Sequence, residues 1–117
     1  EAEQAFKSAA AAAAPVPEKA PDIYIAYGRF LAGQPGRLQE AVDQYELAQM
    51  FRQDDLELQG EIAALHASVG QEYFDNEQYA LAEQTLSSAY QMFPDKNHPE
   101  AQKAAATLKE LRAIRAR

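Results

Sequence analysis

One spacing recurs three times along this chain: a small residue, a large one four positions on, and a small one three after that. It occurs at Ala2, Phe6 and Ala9, at Ala41, Tyr45 and Ala48, and at Ala82, Leu86 and Ala89, in steps of 39 and 41 residues. Residues four and seven apart share one face of an α-helix. Alanines on that face let a neighbouring helix come close, and the large residue between them fills the gap that remains. Residues 1–9 and 81–89 also align without gaps and agree at five of nine positions. A chain with this pattern is expected to bury its apolar faces by stacking similar helix pairs.

The rest of the chain fits an all-α reading. Alanine and glutamine are abundant, valine and isoleucine are scarce, and no stretch alternates apolar and polar residues as a half-buried strand does. Helices are expected over residues 1–14, 21–33, 37–53, 55–75, 77–93 and 99–116. Pro15-Val16-Pro17 stops the first, and Pro21 and Pro99 suit first-turn positions. Gly33-Gln34-Pro35-Gly36 and Asp75-Asn76 make turns, and Pro94 stops the fifth helix. Asp54 or Asp55 is placed to cap the fourth helix and His98 to cap the last. Gly60, inside the fourth, costs about 1 kcal/mol relative to alanine and marks a place for a bend.

The helix before each of the last two copies repeats too. Tyr24-x2-Tyr27-Gly28-x2-Leu31 corresponds to His66-x2-Val69-Gly70-x2-Tyr73. Here the chain resembles the tetratricopeptide repeat (TPR) family, whose helix-turn-helix unit has a W-x2-L-G-x2-Y first helix and an A-x3-F second helix closed by proline. The fuller copy, about 63–96, has Val69-Gly70, Tyr73, Tyr79, Ala82, Leu86, Ala89 and Pro94 in the family's places. It departs with His66 where tryptophan would stand and Glu77 where the turn glycine would stand. The copy at 21–53 has a turn one residue longer and Gln53 in place of proline. The step of 41 to 42 residues resembles the longer, kinesin-light-chain-like variant.

The resemblance implies a short right-handed superhelix of TPR-like pairs. Residues 1–14 would be the second helix of a truncated repeat or an N-terminal cap, and 15–20 a linker. Residues 21–96 would hold two helix pairs, and 97–117 a C-terminal capping helix, with Ala101, Ala104, Ala105, Leu108 and Leu111 on one face. With no first helix before it, the face of Ala2, Phe6 and Ala9 would be left open or paired with another molecule, a route to a homo-oligomer through this stub.

Charge and composition exclude several classes of function. The net charge is −7, and affinity for phosphate rests on lysine and arginine, so nucleic acid is not an expected partner. The charge is uneven: residues 1–100 carry 6 basic and 17 acidic side chains, a balance of −11, whereas residues 101–117 balance at +4. There is no cysteine, so no disulfide, thiolate metal site or cysteine nucleophile is expected. The longest apolar run, residues 9–14, is too short to insert into a membrane. The sequence leaves the compartment open between the cytoplasm, which it favours slightly, and a periplasmic or secreted site if a signal peptide was removed.

No catalytic or cofactor constellation emerges. His66 occupies a packing place, His98 a cap, and no carboxylate pair accompanies either at metal-ligand spacing. Asp54, Asp55, Glu57 and Glu61 lack the alternation and glycine of a calcium loop. Tyr24, Tyr27, Tyr45, Tyr73 and Tyr79 stand at packing places and read as core.

What remains is a surface. In the family the first helix of each pair lines the concave side. The places between packing positions are Ile25, Arg29 and Ala32 in one copy and Ala64, Ala67, Gln71, Phe74 and Asp75 in the other. The expected partner-binding groove uses Ile25, Arg29, Gln71 and Phe74, with Phe74 as an aromatic anchor. Chaperone-binding members clamp a terminal carboxylate with lysines, asparagines and an arginine. At the matching places only Arg29 could serve, so no such clamp is expected. The functional expectation is a non-catalytic scaffold for a protein or peptide, without cofactor or metal. The alternative is a structural spacer or self-association segment of a larger protein.

Overall fold

The computed structural model describes residues 2–13 and 19–116. Among these residues there are six helices: α1 (Ala2–Ala13), α2 (Ala20–Ala32), α3 (Leu38–Gln49), α4 (Leu56–Asp75), α5 (Tyr79–Met92) and α6 (Pro99–Arg115). No strand occurs among the described residues, and no helix among them is long and apolar enough to cross a membrane. Pro15-Val16-Pro17 and most of the expected linker lie outside the described residues. The chain divides into two compact units, Glu1–Leu58 and Gln59–Arg117.

In the first unit α1 and α3 both pack on α2. Ala41, Val42, Tyr45 and Ala48 are buried along α3, and Tyr27, Gly28 and Leu31 along α2. A Cβ built on Gly28 would lie 2.7 Å from the Tyr45 ring and 3.3 Å from the Ala41 carbonyl oxygen, so only a hydrogen fits there. Phe6 of α1 stacks on Tyr27 at 5.6 Å between centroids and tilts against Phe30 at 5.4 Å. The stub's large residue is thus engaged within the chain rather than left open.

In the second unit one core joins three helices. Ala63 and Ala67 of α4 meet Ala82, Leu86 and Ala89 of α5, Phe93, and Ala101, Ala104, Leu108 and Leu111 of α6. A Cβ on Gly70 would lie 2.7 Å from the Leu86 side chain and 3.2 Å from its backbone nitrogen. The small-large-small triplets of α3 and α5 are therefore buried throughout, and each large member faces a glycine on the preceding helix.

Helix ends follow local chemistry. Asp55 accepts the Leu58 N–H at 3.0 Å and opens α4, and His98 Nδ1 accepts the Glu100 N–H at 3.0 Å and opens α6. The ammonium of Lys96 donates to the carbonyls of Tyr90, Gln91 and Phe93, which closes α5. It also lies 5.0 Å from the centre of the Tyr90 ring.

Two expectations need correction. α3 ends at Gln49 rather than 53, because Phe51 and Arg52 donate to carbonyls three residues back and tighten the chain. That turn brings Phe51 against Tyr24, at 6.3 Å, and Arg52 onto the Asp22 carboxylate. α5 begins at Tyr79 rather than 77, because Glu77 adopts φ +63°. The Gln78 N–H then reaches the Tyr73 carbonyl and the Glu77 N–H that of Phe74, a Schellman closure of α4. α4 runs from Leu56 to Asp75, with Gly60 inside it.

Candidate functional site

Ile25 and Arg29 belong to the first unit, Gln71 and Phe74 to the second. One turn apart on α2, Ile25 is half-buried and Arg29 exposed. On α4, Phe74 is partly buried against the core of its unit, and its ring meets Tyr79 at 5.6 Å and 54°. Gln71 is half-buried and held at both ends of its amide. Its nitrogen donates to Asp75 at 3.1 Å, and its oxygen accepts the Thr107 hydroxyl of α6 at 3.0 Å. Gln71 is therefore a polar tie between α4 and α6, with its best acceptor already used.

The places expected between packing positions are not all surface. Ala67 is 5% exposed and Ala64 packs against the same core, which α4 shares with α5 and α6. Conversely, Tyr24, Tyr73 and Tyr79 are half-buried rather than fully core, while Tyr27 and Tyr45 are buried. Ala105 is only partly covered on α6.

The strongest electrostatic feature lies elsewhere. Arg37, in the turn before α3, donates through Nη1 and Nη2 to both oxygens of Glu3, at 2.7 and 2.6 Å. The same guanidinium grips Glu40 at 2.6 and 2.8 Å, and the Tyr27 hydroxyl donates to Glu3 at 3.0 Å. The Arg37 hydrogen bonds, then that of Tyr27, bring the Glu3 carboxyl down to about 2. Glu40 is lowered by Arg37 as well. Burial, then the bond to Glu3, raises the Tyr27 phenol. The network fixes α1 to the α2–α3 hairpin. Its members are 24 and 34 residues apart, so no local spacing announced it.

Among the described residues no three of His, Cys, Asp and Glu converge as metal ligands. The Asp54–Glu61 acids are spread along the start of α4, where Asp55 acts as the cap. His66 is half-buried on α4. No protein-family model, no curated protein and no solved structure matches this chain.

Proposed function

We propose that this chain is a non-catalytic, TPR-like scaffold that binds a protein or a peptide through the first helix of each pair. The observation that carries the reading is the repeated packing device. Gly28 faces Tyr45 and Gly70 faces Leu86, and each large residue lies within an alanine triplet. A scaffold assembled by glycine-on-large contacts is stiff, and a stiff surface loses little freedom when a partner arrives.

Within the first unit the contact residues are Ile25 and Arg29. Within the second they are Phe74, half-exposed beside Tyr79, and Gln71, whose tie to Thr107 leaves it a positioning role as well. The acidic balance of the chain favours a partner that carries basic or neutral side chains.

The test is selection of peptides from a displayed random library on the immobilised chain, followed by titration with Arg29→Ala and Phe74→Ala. Losses of about tenfold or more with intact helical signal support the reading. Selected peptides that bind both variants as well as the parent would overturn it, as would a selection that returns nothing above background.

A further inference from the structure

Two exposed helix faces of opposite charge take no part in the scaffold reading. The first is on α3. Gln39, Asp43, Glu46, Leu47 and Met50 lie opposite the buried Ala41, Val42, Tyr45 and Ala48. Met50 is 70% exposed and Leu47 38%. Together with Asp43, Glu46, Gln49 and Gln53 they line a shallow hollow. Asp43 accepts a long 3.4 Å bond from the neutral Gln39. No cation among the described residues pairs with Asp43 or Glu46.

The second face is on α6. Gln102, Ala106, Lys109 and Ala113 follow one another at steps of four, three and four, opposite the buried Ala101, Ala104, Leu108 and Leu111. Lys103 and Glu110 flank this stripe, and Arg112 stands at its edge, all exposed. No acid among the described residues pairs with Lys103, Lys109 or Arg112. This is the segment whose charge balance is +4 in a chain that is otherwise strongly acidic.

We propose that the α3 face is occupied by α6 of a second copy of this chain. The charges are complementary, and the chain itself supplies a matching surface. Residues 43–50 and 106–113 each span about 10 Å of helix at 1.5 Å per residue, so the two patches agree in length. Ala106 and Ala113 leave hollows on α6 into which Leu47 and the adaptable Met50 can seat. Lys109, between the alanines, then reaches toward Asp43 and Glu46. The contact is heterologous, because it joins two different surfaces. Two turns of helix make a small interface, so the association is weak and sensitive to salt.

Sedimentation velocity on the whole chain tests this, over a concentration series at low and high salt. The expected result is self-association that weakens at least tenfold between about 0.05 and 0.5 M salt. Met50→Lys and Lys109→Glu reverse the local charge at exposed positions, and circular dichroism confirms that each variant stays helical. Each alone is expected to remain a monomer. An equimolar mixture is expected to recover a 1:1 species, because one variant keeps α6 intact and the other keeps α3. The proposal fails if the parent chain is monomeric throughout, or if association ignores salt or survives in both variants. It fails equally if mixing restores nothing, or if a basic amphipathic peptide binds the α3 face of a chain that does not self-associate.

Discussion

Gly36 and Glu77 stand 41 residues apart and hold the same place in two turns, each two residues before the next helix and each with positive φ, +74° and +63°. Glycine adopts that conformation freely, whereas any other L-residue gives up about 1–2 kcal/mol. Glu77 is strained where Gly36 is relaxed. Glu77→Gly is therefore expected to stabilise the chain by about 0.5–1 kcal/mol, after the extra freedom of glycine in the unfolded chain is set against the relief. Gly36→Ala is expected to lose about 1–2 kcal/mol. Urea titration followed by circular dichroism measures both, and equal signs for the two variants would contradict the account.

Three helical glycines separate packing from propensity. Gly28 and Gly70 each leave 2.7 Å for a Cβ, whereas a Cβ on Gly60 would meet nothing within 4 Å. Gly28→Ala and Gly70→Ala are expected to cost about 1–3 kcal/mol by overpacking. A backbone atom lies close at both sites, the Ala41 carbonyl oxygen at 3.3 Å from the Gly28 position and the Leu86 nitrogen at 3.2 Å from the Gly70 position, so a side-chain shift alone relieves neither. Gly60→Ala should gain about 0.5–1 kcal/mol from helix propensity. Ala82→Leu, on the same seam as Gly70, belongs with the losses, again about 1–3 kcal/mol. A melting temperature unchanged by both Gly70→Ala and Ala82→Leu would remove the close-packing argument.

How far the chain could be read from sequence depends on the range of the forces involved. The triplets at Ala41, Tyr45 and Ala48 and at Ala82, Leu86 and Ala89 act within one helix, and their burial follows from spacing alone. The caps by Asp55 and His98 were legible for the same reason: each reaches a backbone N–H two or three residues away. Ala67 was misread because it joins a core built with α5 and α6, whose residues lie farther along the chain. Gln71 was taken for free surface because Thr107 is 36 residues distant. Lys96 carried no cap signal, since its target carbonyls are set by how the chain turns after Phe93.

Acid should loosen α1 before the rest of the chain. The Glu3 carboxyl is lowered to about 2 in the fold, against an ordinary value near 4.5. A lowered carboxyl contributes stability in full above its unfolded value and loses it as the pH falls through its folded value. The Glu3–Arg37 contribution is therefore present at pH 6, begins to fade below about 4.5 and is gone below about 2. Amide exchange or Phe6 ring shifts measured down this range should report release of α1, with α5 and α6 protected longer. Arg37→Leu should expose α1 at neutral pH and remove most of the pH dependence in that window. A parent and an Arg37→Leu variant with identical acid profiles would show that the network does not hold α1.

Phe74 decides whether the candidate surface is a surface. Its ring is partly buried, leans on Tyr79 and touches the core of α4, α5 and α6, so it contributes to folding whatever else it does. Complete burial of a phenylalanine makes truncation to alanine cost about 3–5 kcal/mol. A half-covered ring that leaves less of a cavity is expected to cost about 1–2 kcal/mol. If the exposed half anchors a partner, Phe74→Ala also weakens binding about tenfold or more at a temperature where the variant is still fully folded. Phe74→Leu separates the two effects. Leucine restores most of the apolar contact with the core, so stability should return to within about 1 kcal/mol of the parent. It lacks the flat ring, so affinity should stay reduced. Melting and titration on the same two variants give the answer. Recovery of both by leucine, or a loss of stability with unchanged affinity, would assign Phe74 to the core alone and leave Ile25 and Arg29 as the contact residues to test.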